Sequence, residues 1–467
     1  MACWRKVVVL GVLTAVGLLG PSCKSNDSST RRSAASQPAS SPAMTTQSPM
    51  SGYIRFEYAI YYLPQPTDDP IRAIEHLVAQ HFSTAKIVAE LPDKPTEKCL
   101  RARLEVDVRG KYVPPDLKSL GYFGRGLTRE QAEALQESKQ ALILDFAHPK
   151  KEVWSGIRTA NAIVSRLAHE GGGLIWDEET REVFTPDSWD AKRITSWTDE
   201  VPDVSDHTVI HAYRKDEYVR AITLGMAKLG LPDVVIEDFS WSANRNMGHL
   251  INLFAQAMAE GALLPDNAAF ALDLRAIKNA KVREPQVKSL KANATAIARL
   301  TLKKGKWEEG DPRNRLIEVG FDGYPGPDLH AKQEKLLGEL FGWEDATTPV
   351  RHTEDLLAAS RKAKEKLPAL REAFQKGLAP GEFIQVKAPF RVPTGGNEWM
   401  WVEVTAWTGS EIKGLLKNEP FNIPNLHGGQ EVTVLQDDVF DYIRRRADGT
   451  QEGNETGKII ERQSQTP

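Results

Sequence analysis

The sequence predicts an α+β protein with repeated strand–helix–strand–strand units and a small C-terminal sheet domain. Strand-like apolar segments occur at 56–63, 141–147 and 207–213, and apolar residues at helical spacing follow each of them. Further short strand-like segments follow each of these helices, an order typical of ferredoxin-like sandwiches. The unequal lengths of the three units argue against a solenoid.

The apolar spacing locates each element of these units. We predict helices over 71–82, 153–167 and 219–229, and additional strands over 87–91, 100–108, 174–176, 182–185 and 234–239. Cys99 begins an alternating segment and is expected to be a buried strand residue. With Cys3 and Cys23 in the N-terminal segment, Cys99 has no cysteine partner for an intramolecular disulfide.

The next elements lead toward the C-terminus. A strong helix is predicted over 246–260, and strands over 269–274 and 315–321. Pro327 is expected to open a further helix. A charged helix over 356–374 has a narrow apolar stripe, and Pro368 is expected to kink or divide it. We interpret this charged helix as the connector to the C-terminal domain.

The segment 387–442 contains the most specific pattern in the chain. Its central strand, 398–407, alternates between two sets of side chains. One set contains Met400, Val402, Val404 and Ala406, and the other contains Trp399, Trp401, Glu403, Thr405 and Trp407. A solvated strand face does not usually carry three tryptophans. Two interpretations remain open: the tryptophan face packs on the 356–374 helix, or it binds a partner.

Several motifs of this segment resemble a bacterial family, the domain of unknown function 2314. They are 386–390, Gly395-Gly396 before 399–404, Asn418-Glu419-Pro420, and 432–442. The resemblance covers about the last quarter of the chain. It implies a small, strongly bent sheet or partial barrel, and it implies no activity. The Asn-Glu-Pro segment and the last strand also resemble, less closely, a domain of bacterial toxin-immunity proteins.

The N-terminus has the features of an export signal. Arg5 and Lys6 precede an apolar segment, 7–19, that is too short to cross a bilayer. The following Leu19-Gly20-Pro21-Ser22-Cys23 resembles a bacterial lipobox, although Gly20 and Pro21 depart from its usual pattern. The resemblance implies lipidation of Cys23. The alternative is an ordinary signal peptide with an incidental cysteine.

The residue after Cys23 bears on location. Lys24 is not the aspartate that retains lipoproteins at the inner membrane in enteric-type sorting. We therefore expect a protein of the cell envelope, attached to the membrane by an N-terminal lipid, on the periplasmic face of the outer membrane. The polar segment after Cys23 is interpreted as a disordered tether.

Charge and motif content exclude several function classes. The formal net charge of -3 argues against a nucleic-acid-binding protein, which needs a basic surface. His207 and His211 lie four residues apart in a predicted strand, where that spacing spans about 13 Å, too far for one metal ion. The sequence has no zinc-protease motif, paired cysteines or serine-nucleophile motif. We predict no metal, no cofactor and no catalytic residue.

Carboxylates are harder to exclude from acid–base chemistry. Asp145 lies in an apolar strand, 177–179 forms an acidic turn, and Asp437, Asp438 and Asp441 bracket the last strand. Turn carboxylates are usually solvated or bind backbone amides, and Asp441 is expected to be one that binds an amide. A general acid or base among these residues remains a minor alternative.

These observations define seven segments. They are a lipoprotein signal peptide (1–23), the tether (24–52), paired α+β units (53–200), a third unit with added helices (201–350), a connecting helix (351–378), the C-terminal domain (379–447) and a polar tail expected to fray (448–467). The leading function is a non-catalytic protein-binding or immunity-like module. Its predicted contact residues are Lys387, Trp399, Trp401, Glu403, Trp407 and Glu419. An envelope hydrolase and a structural envelope component are the alternatives.

Overall fold

The protein is described by a computed structural model over residues 46–63, 66, 68–215, 218–265, 269–342, 353–418 and 420–464. Within these residues the chain forms mixed helices and strands, with three six- or seven-stranded sheets and one two-stranded pair. The α+β class is therefore confirmed, whereas the repeat of ferredoxin-like units is not. The predicted signal peptide, Cys23, most of the tether and Glu419 lie outside the described residues.

The first sheet takes up both of the first two predicted units. Its part of the chain contains β1 (Thr46–Gln47), β2 (Tyr53–Tyr62), α1 (Pro70–His81), β3 (Ala85–Ile87), β4 (Lys98–Glu105), α2 (Val108–Lys111), α3 (Leu117–Phe123), β5 (Gly124–Arg125), α4 (Arg129–Leu135), β6 (Gln140–Pro149), α5 (Val153–Gly171), β7 (Gly173–Asp177), β8 (Glu182–Phe184) and α6 (Pro186–Trp189). The spatial order of the sheet is β3-β4-β6-β2-β7-β8-β5. The two units therefore share one sheet.

Local signals fix the two long helices of this sheet. The Asp69 side chain accepts a hydrogen bond from the backbone N–H of Ile71, and Pro70 occupies the first helical turn of α1. α5 ends at Gly172, whose φ of 70° is the left-handed conformation that glycine adopts most easily. The apolar stripes of both helices join the same core as the sheet. Cys99 lies buried in β4, as the sequence predicts.

The second sheet follows along the chain. Its elements are β9 (Val209–Lys215), β10 (Tyr218–Leu224), β11 (Asp233–Phe239), α7 (Asn244–Ala259), β12 (Leu264–Pro265), β13 (Phe270–Asp273), α8 (Ala280–Lys288), β14 (Ile297–Lys304), β15 (Leu316–Gly320) and α9 (Leu329–Phe341). The spatial order is β13-β14-β15-β11-β10-β9, while β12 pairs with β1. The first two sheets share one hydrophobic core.

The helix predicted over 219–229 is wrong. This segment forms β10, which pairs along its whole length with β9, and then a short 3-10 turn at Met226–Leu229. Six of the seven β10 residues are buried, so both faces are covered and the strand lacks the alternation of a half-exposed strand. Apolar residues at helical spacing therefore occur here without a helix, because a short fully buried strand does not differ from a helix in periodicity.

The third sheet forms the C-terminal part of the protein. Its elements are α10 (Glu354–Lys376), β16 (Phe383–Arg391), β17 (Asn397–Thr408), β18 (Glu411–Leu416), β19 (Glu431–Leu435), β20 (Asp441–Arg445), β21 (Gln451–Gly453) and α11 (Glu455–Ser464). The strand order is β19-β18-β17-β16-β20-β21, an open sheet with no closed barrel in the described residues. Helix α10 continues through Pro368 as one segment, so this proline does not divide it.

The tail expected to fray contains two ordered elements. Strand β21 extends the sheet edge at β20, and α11 packs against α10. The prediction of a frayed tail is wrong over 451–464, because the polar composition gives no sign of the hydrogen bonds that hold this segment in place. Thr456 is fully buried, and its backbone N–H and hydroxyl both donate to the buried carboxylate of Asp441. Two charge-assisted hydrogen bonds offset the low apolar content of the segment.

Hydrogen bonds connect the C-terminal part to the rest of the chain. The Arg129 guanidinium donates to the Lys376 carbonyl at 2.7 Å, and the Gly381 N–H donates to the Gly121 carbonyl at 3.1 Å. The third sheet nevertheless has its own hydrophobic core with α10. No helix in the described ranges combines the length and the apolar content needed to cross a membrane.

Candidate functional site

The candidate site is the face of the C-terminal sheet that points away from α10, called here the outer face. It consists of Gln385, Lys387, Pro389, Trp399, Trp401 and Glu403, all partly buried. In the antiparallel pairing of β16 and β17, these residues lie opposite each other in three pairs. Because successive side chains on a strand point to opposite faces, the three pairs share one side of the sheet. Lys387 lies opposite Trp401 and Pro389 lies opposite Trp399.

The opposite, inner face packs on α10. Its buried side chains form a core with the apolar stripe of the helix, which contributes Ala363, Leu367 and Leu370. The strands contribute Ile384, Val386, Ala388, Met400 and Val402 to this core. Of the two interpretations that the sequence leaves open, helix packing against the tryptophan face is therefore wrong for Trp399 and Trp401. Both rings lie on the side of the sheet away from the helix.

Trp407 corrects the predicted membership of the face. The pairing of β17 with β18 shifts register between Val404 and Ala406, as in a β-bulge. The bulge reverses the alternation, so Trp407 points into the inner core and is 5% exposed. Its indole N–H donates to the Gln436 amide oxygen at 3.1 Å. Trp407 is therefore a core residue and not part of a binding surface.

Lys387 and Trp401 form a cation–π pair at the centre of the outer face. The ammonium nitrogen lies 5.7 Å from the centroid of the Trp401 ring. Burial lowers the pKa of Lys387, and the nearby Asp441 carboxylate opposes this shift. Within the described residues, the Trp401 indole N–H has no hydrogen-bond acceptor. The pair therefore offers a cation, an aromatic surface and one hydrogen-bond donor.

Trp399 packs against Phe440, which is not among the predicted contact residues. The rings of Trp399 and Phe440 lie 4.6 Å apart at an interplanar angle of 48°. The backbone N–H of Phe440 donates to the Lys387 carbonyl at 2.7 Å, so the start of β20 is held beside β16. Phe440 precedes the conspicuous Asp441 in the sequence. Its position next to Asp441, within the predicted last strand, is the sequence signal that could have identified Phe440 as a residue of this face.

Glu403 connects the outer face to the second sheet. Its carboxylate lies 3.1 Å from the Lys417 ammonium, and that ammonium lies 5.4 Å from the Trp241 ring centroid. The Trp241 indole N–H donates to the Lys417 carbonyl at 3.1 Å. Trp241 lies two residues after the end of β11, far from the C-terminal segment in sequence. No local pattern could have predicted this contact.

The loop between β18 and β19 is clamped to the start of β17. The Asn418 amide oxygen accepts from the backbone N–H of Trp401 at 2.6 Å. The Glu398 carboxylate accepts from the backbone N–H groups of Phe421 and Asn422 at 3.0 and 2.6 Å. The loop lines a shallow cavity of about 290 Å³, beside which Phe421 is 63% exposed. Glu419, a predicted contact residue, lies outside the described residues.

Three of the carboxylates considered for acid–base chemistry are engaged in ion pairs or hydrogen bonds. Asp145 pairs with Arg101 and Arg103 at 2.9 and 3.1 Å. Asp177 is fully buried and pairs with Arg193 at 3.0 Å and with Lys228. Asp441 accepts the backbone N–H of Thr456, which confirms the expectation that it binds an amide. These contacts account for the three carboxylates as parts of the fold.

The ion pairs of Asp177 belong to a buried cluster between the first two sheets. Glu182 is also fully buried, and although burial raises its pKa, Lys192, Arg193 and Arg125 together hold that pKa at about 2. Burial and then the charge of Asp177 raise the pKa of Glu179 to about 8. The pKa values of Glu179 and Glu182 are thus shifted in opposite directions, which is also found in active sites, but Glu182 exposes no surface to a substrate.

The described part of the chain contains no cluster of side chains suited to a metal ion. No three of its His, Cys, Asp or Glu side chains are arranged to hold such an ion. His211 lies in β9, and His207 precedes that strand as a fully buried residue. Burial lowers the pKa of His207 well below its ordinary value.

Comparison with known proteins identifies only the C-terminal part. No curated protein and no solved structure matches the chain. The model of one family, described as an uncharacterized protein conserved in bacteria (DUF2314), matches residues 354–464. The match begins at the first residue of α10 and includes all six strands of the third sheet and α11. The chain thus carries, from α10 to α11, a C-terminal domain of the bacterial family of unknown function 2314.

Proposed function

We propose that the C-terminal domain is a non-catalytic protein-binding module and that its outer face is the contact surface. The observation that carries this proposal is the position of Trp399 and Trp401 on the side of the sheet opposite α10, with Lys387 over the Trp401 ring. Burying these two aromatic rings against a partner provides a large contact area at low entropic cost.

The polar residues of the face define the chemistry of such a partner. Lys387 is partly desolvated already, so pairing it with a carboxylate of a partner costs less than pairing a fully hydrated lysine. Glu403 and Lys417 are salt-bridged to each other at the edge of the rings. We therefore expect an apolar or aromatic patch with an adjacent acidic group. Neutralisation of a toxin would be one such interaction, and the resemblance to immunity proteins favours it.

We further propose that the protein works in the cell envelope, attached through a lipid on Cys23. The support is the sequence from Arg5 to Cys23. A Cys23→Ser variant should lose incorporation of an alkyne-tagged fatty acid and should move from the membrane fraction to the soluble fraction. Unchanged labelling and unchanged fractionation would contradict the anchor and leave the binding proposal intact.

In-cell cross-linking with mass spectrometry tests the binding proposal. The parent protein is compared with a Trp399→Ala/Trp401→Ala variant and with Trp307→Ala, a matched loss of a tryptophan that is 54% exposed in the second part of the chain. We expect one partner to be captured by the parent and by Trp307→Ala. The double variant should lose about 10-fold or more of this capture, since interface tryptophans are typical hot spots.

Thermal melting separates lost binding from lost folding. The double variant must melt within a few degrees of the parent for its capture result to count. A Lys387→Gln variant, which keeps the length of the side chain but removes its charge, should weaken capture without altering the melt. Equal capture by all variants, or no specific capture by the parent, refutes the proposal and favours a structural envelope component.

A further inference from the structure

A second surface of the C-terminal domain lies between its two helices. We call it the helix groove: a cavity of about 570 Å³ between α10 and α11, with β20 contributing to its lining. Ala359, Tyr442 and Ile459 provide apolar lining, while Lys362, Lys366 and Arg462 provide cationic lining. None of these residues belongs to the outer face.

The groove exists because α11 is fastened at its first turn. Thr456 donates its backbone N–H and its hydroxyl to Asp441 at 2.9 and 2.6 Å, and the Tyr442 N–H also donates to Asp441. Asp441 is therefore occupied by three donors and does not neutralise the lysines of α10. Glu455, the other acidic residue near this turn, pairs with Lys458.

The groove lining contains three carboxylates, those of Asp355, Asp441 and Glu455, but its two lysines are not paired with any of them. Lys362 and Lys366 are exposed and lie one helical turn apart. Considering only residues that the structure describes, neither ammonium group has a carboxylate oxygen within 4.0 Å. Like charges at this spacing destabilise a helix by a few tenths of a kcal/mol. An external anion placed between them would remove that cost.

The groove has the size of a short extended peptide. Along α10 it runs from Asp355 to Lys366, twelve residues that span roughly 16 Å at a rise of about 1.5 Å from each residue to the next. About five residues of extended chain cover this length. Ala358 and Ile459 are half-buried residues of the lining, so apolar side chains of a ligand would cover part of their remaining apolar surface.

We propose that the helix groove binds a short acidic segment of a partner protein. Its carboxylates would lie against Lys362 and Lys366, and its apolar side chains against Ala358 and Ile459. This surface is separate from the outer face, so the inference does not depend on the function proposed for Trp399 and Trp401. The domain would then hold two partner segments, or two parts of one partner.

Fluorescence anisotropy with defined peptides tests this inference on the full-length protein. The probe is a labelled peptide in which glutamates alternate with leucines, and the matched peptide has glutamines in place of the glutamates. We expect saturable binding of the acidic peptide with a Kd below about 1 mM and at least about 10-fold weaker binding of the glutamine peptide. Raising the salt concentration should weaken the first interaction.

Charge-reversal variants locate the interaction. Lys362→Glu/Lys366→Glu should reduce the affinity for the acidic peptide by about 10-fold or more, and Lys362→Gln/Lys366→Gln by about three-fold. Lys118→Glu/Lys139→Glu changes the net charge by the same amount at exposed lysines outside the domain and should leave binding unchanged. The neutral glutamine pair retains helix-forming side chains, so it preserves the test if charge reversal disturbs α10.

Three results would overturn the inference. They are no saturable binding of the acidic peptide, equal affinity for the acidic and glutamine peptides, and an equal loss in the groove and control variants. The Trp399→Ala/Trp401→Ala protein serves as a separate arm. It should bind the acidic peptide as the parent does, and a loss there would place the peptide on the outer face and refute the groove.

Discussion

Replacing Asp441 with alanine is expected to release α11 from the C-terminal sheet. Asp441 is fully buried and accepts two hydrogen bonds from Thr456 and one from the Tyr442 N–H. A hydrogen bond to a charged group contributes about 1.5–3 kcal/mol. Losing the two hydrogen bonds to Thr456 therefore costs roughly 3–6 kcal/mol locally. Because α11 lies near the described end of the chain, we expect it to detach before the rest of the domain unfolds.

Hydrogen–deuterium exchange with mass spectrometry measures this release directly. Peptides covering 455–464 should lose protection in Asp441→Ala, lose less in Asp441→Asn, which retains one acceptor oxygen, and remain protected in Asp438→Ala. Asp438 is an exposed carboxylate in the neighbouring turn and serves as the matched control. Thr456→Val, which removes only the hydroxyl and its hydrogen bond to Asp441, should lower the free energy of unfolding by about 1.5–3 kcal/mol.

The order of the four variants is the decisive result. If α11 in Asp441→Ala exchanges at the parent rate, the hydrogen bonds of Asp441 do not hold the helix, and the reasoning fails. If protection is lost throughout 383–464, the carboxylate supports the whole domain and not only the helix. In either case the account of the helix groove would have to change, since that groove needs α11 in place.

Three further predictions concern the cores. Burial raises the pKa of Glu179 to about 8, so the free energy of unfolding should fall as the pH rises from about 4.5 to 8. Glu179→Gln should abolish this fall between thermal melts at pH 6 and pH 9. The same drop in melting temperature in the parent and the variant would contradict this prediction. Arg193→Met removes a buried cation that pairs with Asp177 and Glu182, and it should lower the free energy of unfolding in urea by about 3–5 kcal/mol. A decrease below about 1 kcal/mol would refute the importance of these ion pairs. Trp407→Ala should lower the free energy of unfolding by about 3–5 kcal/mol, and Trp401→Ala should lower it clearly less. Equal decreases would contradict the assignment of the two rings to opposite faces of the sheet.

Much of the C-terminal domain could be predicted from local pattern. The alternation over 398–407 matches β17 up to Val404, and the apolar stripe over 356–374 matches the buried face of α10. Asp441 was expected to bind a backbone amide because it stands at the end of a strand beside turn residues. These features depend on neighbours in sequence, which a single sequence records.

Features that depend on the partner strand could not be predicted in this way. The bulge that turns Trp407 inward arises from the register of β17 with β18, and register is not visible in the alternation of one strand. β10 is buried on both faces, so its periodicity resembled that of a helix. Trp241 is distant in sequence, and folding brings it to Lys417 beside the outer face. Phe440 belongs to another strand, and folding brings its ring against Trp399.

The contact of Trp241 with Lys417 has a thermodynamic consequence for any partner of the outer face. Lys417 is bonded to the second sheet through its carbonyl and to Glu403 through its ammonium group. A partner that engages Glu403 or displaces Lys417 therefore changes the free energy of docking between the C-terminal domain and the rest of the chain. By linkage, the docked arrangement changes the affinity for the partner by the same factor. Binding of a partner to the outer face would then change the free energy of docking between the C-terminal domain and the first two sheets.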